Sequence, residues 1–140
     1  MVTKIAFLFP GQGSQYVGMG KEFYDASSEA RRIFEEAGEV LGLDIADLCF
    51  NGPEEQLKLT ENAQPALLIH STIALNLLRG NGINAVLAAG HSLGEYSANV
   101  AAGSLRFRDA VRLVQLRGRF MQEAVPVGVG GMAAIIGMQG

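Results

Sequence analysis

The sequence has one cysteine, two histidines and no long apolar run, and each shortage excludes a class of protein. Cys49 cannot form an internal disulfide, and no cysteine or histidine cluster has metal-ligand spacing, so we expect no metal site. No window approaches 18 uninterrupted apolar residues, and the run at 5–9 is too short for a signal peptide, so we expect no membrane span. Cys49 is expected to fill core space in the reducing cytoplasm.

Charge is also scarce. Charged residues make up 18% of the 140 residues and the net charge is −3, which argues against a nucleic-acid partner. Apolar residues make up 49%, a proportion typical of a buried α/β protein, and the length allows one domain at most.

Hydrophobic patterning predicts helices and strands in alternation. We expect strands over residues 4–9, 85–89 and 132–136, and helices over 28–41, 44–50, 62–78, 93–102 and 107–125. A further helix is expected to start near Pro53, and Pro65 is an alternative start for the helix over 62–78. The unbroken apolar run 85–89 is typical of a central parallel strand covered on both faces. Residues 1–126 therefore form the predicted α/β core, and 127–140 form a glycine-rich hinge and the first strand of a further subdomain.

The segment Gly90-His91-Ser92-Leu93-Gly94 lies between a predicted strand and a predicted helix. A G-x-S-x-G segment in that setting is typical of a nucleophile elbow, where a sharp turn exposes a serine hydroxyl above a parallel sheet. This predicts acyl transfer through an ester on Ser92. The alternative is a glycine-rich turn with an incidental serine.

The helix over 107–125 has an apolar stripe that contains an arginine. Arg117 follows Leu113 by four residues and precedes Met121 by four, on a face shared with Ala110 and Val114. An inward guanidinium needs acceptors, because it does not lose its charge. Arg117 therefore either forms a structural ion pair, extends outward along its stem, or binds a substrate carboxylate through two parallel hydrogen bonds.

The loop after the first strand is rich in glycine. Acyl transfer by a serine needs an oxyanion hole of backbone N–H groups, one of which usually follows the nucleophile, here that of Leu93. The loop at residues 11–14 is suited to supply a second donor, because its glycines allow close backbone approach. An ordinary turn or a phosphate-binding loop remain alternatives, although no lysine completes a Walker A motif.

Five motifs occur in one order along the chain. They are Phe9-Pro10-Gly11-Gln12-Gly13-Ser14-Gln15, Gln64-Pro65-Ala66, Gly90-His91-Ser92-Leu93-Gly94-Glu95-Tyr96, Arg117-Gly118 and Gly131-Met132-Ala133-Ala134. With these motifs and their spacing, essentially the whole chain resembles the malonyl-CoA:acyl carrier protein transacylase family.

The resemblance implies a fold and an activity. The fold would be a hydrolase-like parallel sheet flanked by helices, of which this chain is the N-terminal part, with 132–136 as the first strand of an otherwise missing ferredoxin-like subdomain. Ser92 would take malonyl from coenzyme A and pass it to acyl carrier protein in fatty acid biosynthesis. The N–H groups of Gln12 and Leu93 would form the oxyanion hole, Arg117 would hold the malonyl carboxylate, and Gln64 would lie near the pocket. No cofactor is implied, since malonyl-CoA is a substrate, and the full-length protein would be a cytoplasmic monomer.

The resemblance also implies a general-base histidine beyond residue 140. Of the two histidines present, His70 is expected to be a hydrogen-bonded core residue, and His91 a possible pocket residue that points away from its neighbour Ser92. The activity of these 140 residues alone therefore stays open. A serine hydrolase with the same elbow, or a non-catalytic or unstable truncated fragment, are the alternative readings.

Overall fold

The computed structural model describes residues 4–126, 128–130 and 137, and within them the chain is an α/β protein. The predicted strand over 132–136 lies outside the described residues. The described elements are β1 (Ala6–Phe9), α1 (Lys21–Ala26), α2 (Ser28–Leu41), α3 (Ile45–Asn51), α4 (Glu54–Lys58), α5 (Thr60–Gly80), β2 (Leu87–Gly90), α6 (Gly94–Ala101) and α7 (Phe107–Ala124).

The strands β1 and β2 pair in parallel, with Ala6 opposite Leu87 and Phe9 opposite Gly90. The parallel sheet predicted from the sequence is therefore confirmed for these two strands. Because both strands end at the same level, the loops that follow Phe9 and Gly90 meet at one edge of the sheet. Ligands bind at this carboxyl edge in open α/β sheets.

Only one face of the two-stranded sheet is covered by described residues. Phe7 and Phe9 pack with residues of α5 and α6, whereas Leu8 is 77% exposed and Leu87 is 62% exposed. The prediction of a strand covered on both faces is therefore wrong within the described part of the chain. The reason is that α5 and α6 lie on the same side, and alternate side chains of a strand point to opposite sides.

The larger core lies among α2, α5 and α7. The helix α2 has the predicted bounds, because the Ser27 side chain accepts a hydrogen bond from the Ala30 N–H at its start and Gly42 ends it at φ 69°. Cys49 is fully buried in this core, as expected, and burial raises the pKa of its thiol to about 12. At that pKa the thiol stays protonated and unreactive at neutral pH.

Two helices differ from the sequence predictions. The six-residue helix α1 was not predicted, because it buries none of its own residues and so carries no apolar period. Its position depends on tertiary contacts, such as the Tyr24 ring lying 5.8 Å from that of Phe34. The helix α5 begins at Thr60 and contains Pro65 in its interior, where the flanking residues are buried in the core.

Among the described helices, none is both long and apolar enough to cross a membrane. The same residues contain no group of three or more histidine, cysteine, aspartate or glutamate side chains that could hold a metal ion.

Candidate functional site

The segment from Gly90 to Gly94 has the geometry of a nucleophile elbow. The strand β2 ends at Gly90, α6 begins at Gly94, and Ser92 between them has φ 53°, in the left-handed region that residues other than glycine rarely adopt. The His91 N–H donates to the Phe9 carbonyl at 3.1 Å and so ties the turn to β1. The predicted strand–turn–helix context is confirmed, and the Ser92 side chain is exposed at the carboxyl edge of the sheet.

Both glycines of the elbow are required by contact with the backbone. A Cβ on Gly90 would lie 1.9 Å from the carbonyl carbon of Gly94. A Cβ on Gly94 would lie 2.2 Å from the carbonyl oxygen of Phe9. Side chains cannot approach backbone so closely, so the absence of a Cβ at both positions is what lets α6 start directly above β1 and β2.

Two backbone N–H groups at this edge are free to bind an oxyanion. Within residues 4–126, neither the N–H of Leu93 nor that of Gln12 donates a hydrogen bond to the protein. Leu93 directly follows Ser92, and Gln12 lies in the loop after β1. Free N–H groups of this kind can stabilise negative charge on a carbonyl oxygen. Their assignment as the oxyanion hole stays a prediction.

The Arg117 guanidinium lies directly beside the serine. Its Nη2 donates to Ser92 Oγ at 3.1 Å, and its Cζ lies 5.8 Å from the centroid of the Tyr96 ring. Its Nη1 is buried without an acceptor among the described residues, and no carboxylate there forms an ion pair with it. The structural ion pair considered above is therefore not found in the described part of the chain. Nη1 is therefore a buried donor for which the described residues supply no acceptor.

The face of α7 that carries Arg117 differs from the predicted one. The helix buries Ala110, Val111, Val114 and Gly118, whereas Leu113 is 44% exposed. The prediction that Arg117 and Leu113 share the core face is wrong, because the apolar pattern gave no weight to Gly118. That glycine packs against α5, where a Cβ would lie 2.7 Å from Glu61 Cα and 2.8 Å from the Thr60 carbonyl oxygen.

Arg117 instead stands on the wall of an open apolar groove. The groove has a volume of about 510 Å³ and is lined by Tyr96, Leu113, Leu116, Arg117, Phe120, Met121 and Ala124. A guanidinium at an apolar wall is less hydrated than one in free solution, and a carboxylate bound there is held more strongly. The groove can therefore hold an acyl chain whose far end is charged.

Gln64 joins the loop after β1 to α7. It is 0% exposed, and its Nε2 donates to Met121 Sδ at 3.2 Å and to Gln12 Oε1 at 3.5 Å. The Gln12 Nε2 in turn donates to Thr60 Oγ1 at 3.2 Å. Gln64 Oε1 has no partner among the described residues, and leaving a buried oxygen unpaired costs roughly 1–3 kcal/mol.

Thr60 and Met121 were missed by the sequence reasoning. The available signal was helical spacing, since Thr60 precedes Gln64 by four residues and Met121 follows Arg117 by four. Each missed residue therefore lies one turn away from a residue that the motifs had already marked.

Neither histidine is hydrogen-bonded to Ser92 in the described structure. His91 is exposed, and its Nδ1 lies 2.9 Å from the place that a Cβ of Gly11 would occupy. His70 is half-buried beside the Phe23 ring, with ring centroids 5.4 Å apart. It forms no side-chain hydrogen bond with the described residues, so the prediction of a hydrogen-bonded core residue is wrong there. Its burial without a partner lowers the pKa of its imidazole.

Comparison with known proteins agrees with the resemblance seen in the motifs. The chain is 58% identical over 137 residues to the malonyl CoA-acyl carrier protein transacylase of Bacillus subtilis (strain 168). The aligned region covers 98% of this chain and 43% of that protein. It superposes with a TM-score of 0.90 and 49% identity on the acyl-carrier-protein S-malonyltransferase of Burkholderia pseudomallei 1710b, over 99% of this chain and 45% of that one.

A third similar structure holds a partner. It is a malonyl-transacylase in complex with its type II PKS acyl-carrier protein, 48% identical with a TM-score of 0.84, covering 89% of this chain and 40% of that one. The chain thus spans less than half the length of the curated relatives it matches. Residues 6–138 match the acyl transferase domain. The chain belongs to the acyl transferase domain family.

Proposed function

We propose that this chain transfers a malonyl group from coenzyme A to acyl carrier protein through a malonyl ester on Ser92, as a step in fatty acid biosynthesis. The observation that carries the proposal is the pairing of Arg117 Nη2 with Ser92 Oγ at 3.1 Å. It places a permanent cation within reach of any acyl group bound to the serine. The printed names of the relatives support the same substrates.

The acylation step forms one bond and breaks one. Ser92 Oγ attacks the thioester carbonyl carbon of malonyl-CoA. The negative charge that develops on the carbonyl oxygen is stabilised by the N–H groups of Gln12 and Leu93. The carbon–sulfur bond then breaks and coenzyme A leaves as its thiol. The serine proton passes to a general base, which returns it to the departing sulfur, and the family resemblance implies a histidine in this role.

The second step reverses the first with a different thiol. The phosphopantetheine thiol of acyl carrier protein attacks the malonyl-serine ester, and Ser92 regains its proton. The acyl carrier protein bound to a similar malonyl-transacylase supports such a partner. No cofactor takes part, because malonyl-CoA brings its own activated thioester.

Arg117 selects the acyl group by its charge. The planar guanidinium can donate two parallel hydrogen bonds to a carboxylate, and its Nη2 already lies at the serine hydroxyl. His91 stays a possible pocket residue, since it adjoins Ser92 and is exposed.

We propose the domain division of the sequence analysis on the same resemblance. Residues 1–126 would form a hydrolase-like core, and 127–140 the hinge and first strand of a ferredoxin-like subdomain. The division rests on the resemblance alone, since the family match over residues 6–138 runs across residue 126 without a break. A monomeric, cytoplasmic full-length protein is proposed from the resemblance alone.

The test is formation of a malonyl ester. The parent chain and its Ser92→Ala variant are each incubated with malonyl-CoA, with and without imidazole as an external base. Intact-mass spectrometry then measures the malonyl adduct on each protein. We expect an adduct that requires Ser92, that forms faster with imidazole, and that is transferred when acyl carrier protein is added. No adduct under either condition, or an equal adduct on Ser92→Ala, contradicts the proposal. Release of free malonate without transfer indicates a hydrolase.

A further inference from the structure

The loop between β1 and α1 is joined to the first turn of α5 by side chains. Gln12 Nε2 donates to Thr60 Oγ1 at 3.2 Å, across 48 residues of sequence. Gln64 Nε2, one turn further along α5, donates to Gln12 Oε1 at 3.5 Å. Both ends of the Gln12 carboxamide are therefore held by α5, and few positions of the Gln12 backbone satisfy both bonds.

The same turn of α5 is also the contact point for α7. Gly118 packs so closely on it that a Cβ would lie 2.7 Å from Glu61 Cα. Gln64 Nε2 reaches Met121 Sδ on α7 at 3.2 Å. Two parts of the proposed site, the loop with the Gln12 N–H and the helix with Arg117, are thus placed by one element.

We infer that the Gln12 side chain, Thr60 and Gln64 form a clamp that fixes the loop, so that the Gln12 backbone N–H points steadily at the acyl oxygen on Ser92. The inference rests on the proposed function and assigns the Gln12 side chain a role separate from that of its backbone. Thr60 and Gln64 are positioning residues in this scheme. They act on the reaction through Gln12, and neither lines the groove beside Arg117.

Gly11 packs against the elbow, since a Cβ there would lie 2.8 Å from the His91 carbonyl oxygen, but the hydrogen bonds of the loop add little to hold Gln12. Within the described residues, the neighbouring bonds are local: the Gly13 N–H donates to the Gln15 side chain at 2.8 Å, and Ser14 Oγ donates to the Gly11 carbonyl at 3.1 Å. Local bonds fix the shape of a turn but not its distance from Ser92. The clamp supplies that long-range restraint, and an oxyanion donor is effective only when it is held in place before reaction.

The test replaces the Thr60 hydroxyl with a methyl group of the same size. Thr60→Val removes the acceptor for Gln12, and Thr60→Ser keeps it. Thr72→Val is the matched control, because Thr72 lies on the same helix and its hydroxyl bonds only to the Leu68 carbonyl within the described structure. The first readout is the ¹⁵N order parameter of the Gln12 backbone amide, which reports loop motion whether or not the chain reacts.

For the Gln12 amide we expect an order parameter of about 0.85 in the parent chain and in the Thr60→Ser and Thr72→Val variants. In the Thr60→Val variant it should be below about 0.6. The rate of malonyl ester formation on Ser92 should fall by about tenfold or more in Thr60→Val, at an unchanged half-saturating concentration of malonyl-CoA. A rigid Gln12 amide in Thr60→Val overturns the inference. If the parent chain forms no malonyl ester, the proposed function is contradicted. The clamp is still tested in that case, because the order parameter of the Gln12 amide does not depend on activity.

Discussion

Arg117 shows what helical periodicity can and cannot determine about one residue. The sequence placed a guanidinium among apolar side chains and offered an ion pair or a bound carboxylate as reasons. The structure places it beside Ser92, with Nη1 unpaired among the described residues. The distance between residues 25 positions apart depends on how α6 and α7 pack, which no local pattern contains.

Replacing Arg117 should change the preference among acyl groups. We expect Arg117→Ala to slow ester formation from malonyl-CoA by roughly tenfold to a hundredfold, since hydrogen bonds to a charged group contribute about 1.5–3 kcal/mol. Ester formation from acetyl-CoA, which has no carboxylate, should not fall. The rates are measured by intact-mass spectrometry. Arg119→Ala is the control, because Arg119 pairs with Glu61 on the exposed surface. Equal losses with both thioesters would refute a carboxylate-binding role.

His70 should make the stability of the fold depend on pH. Its pKa is lowered in the folded state, so the unfolded chain, with an ordinary pKa of about 6.5, binds more protons at mildly acidic pH. Stability should therefore fall as the pH drops through about 6.5, and His70→Gln should reduce that fall. Urea midpoints at about pH 8 and about pH 5.5 measure it. The exposed His91→Gln is the matched control, and the same pH response in both variants would disprove the assignment to His70.

At the scale of elements, the contact between α5 and α7 positions most of the site. The bounds of α7 were predicted closely, because its polar and apolar faces differ clearly, and the bounds of α2 were predicted because both ends carry capping residues. The start of α5 at Thr60 was not predicted, because Pro65 resembles a first-turn residue. Tertiary burial outweighs that local preference.

Gly118 should be the position where this contact is most sensitive. Gly118→Ala places a Cβ 2.7 Å from Glu61 Cα, so we expect a loss of about 1–3 kcal/mol in the free energy of unfolding. Urea denaturation measures the loss. Gly80→Ala is the control on α5, where nothing lies within 4 Å of the added Cβ, and it should gain about 0.4–1 kcal/mol. A Gly118→Ala chain as stable as Gly80→Ala would show that the helices can separate freely.

At the scale of the whole molecule, the sheet leaves apolar side chains in contact with solvent. Leu8, Val86 and Leu87 are all more than half exposed on the described structure, next to a core face formed by Phe7 and Phe9. The sequence of β2 predicted burial on both faces, because its residues are apolar without alternation. An unbroken apolar run predicts that both faces of the strand are buried, but it does not predict which segments of the chain bury them. Exposed apolar patches of this kind bind partners or apolar dyes.

Truncation to alanine should destabilise the fold on one face of β1 and barely change it on the other. Phe7→Ala should cost about 3–5 kcal/mol of unfolding free energy, because Phe7 packs against α5 and α6. Leu8→Ala should change it by about 0.5 kcal/mol or less and should reduce the fluorescence of a bound apolar dye, since Leu8 is 77% exposed. Denaturation and dye titration test the pair. A large loss of stability in Leu8→Ala would mean that this face is covered in solution.

The sequence by itself determined most elements of this protein and the strand–turn–helix segment that carries Ser92. Strands, capped helices and the turn at Ser92 depend on local sterics, and Gly90 permits that turn because a Cβ there would meet Gly94, whereas Gly94 is required by its contact with β1. Tertiary structure alone decided which faces are buried and which distant residues meet. Gly118 brings α7 against α5, Gln12 reaches Thr60, and Arg117 reaches Ser92. These contacts depend on the packing of several helices at once, and packing is a property of the whole fold rather than of any segment.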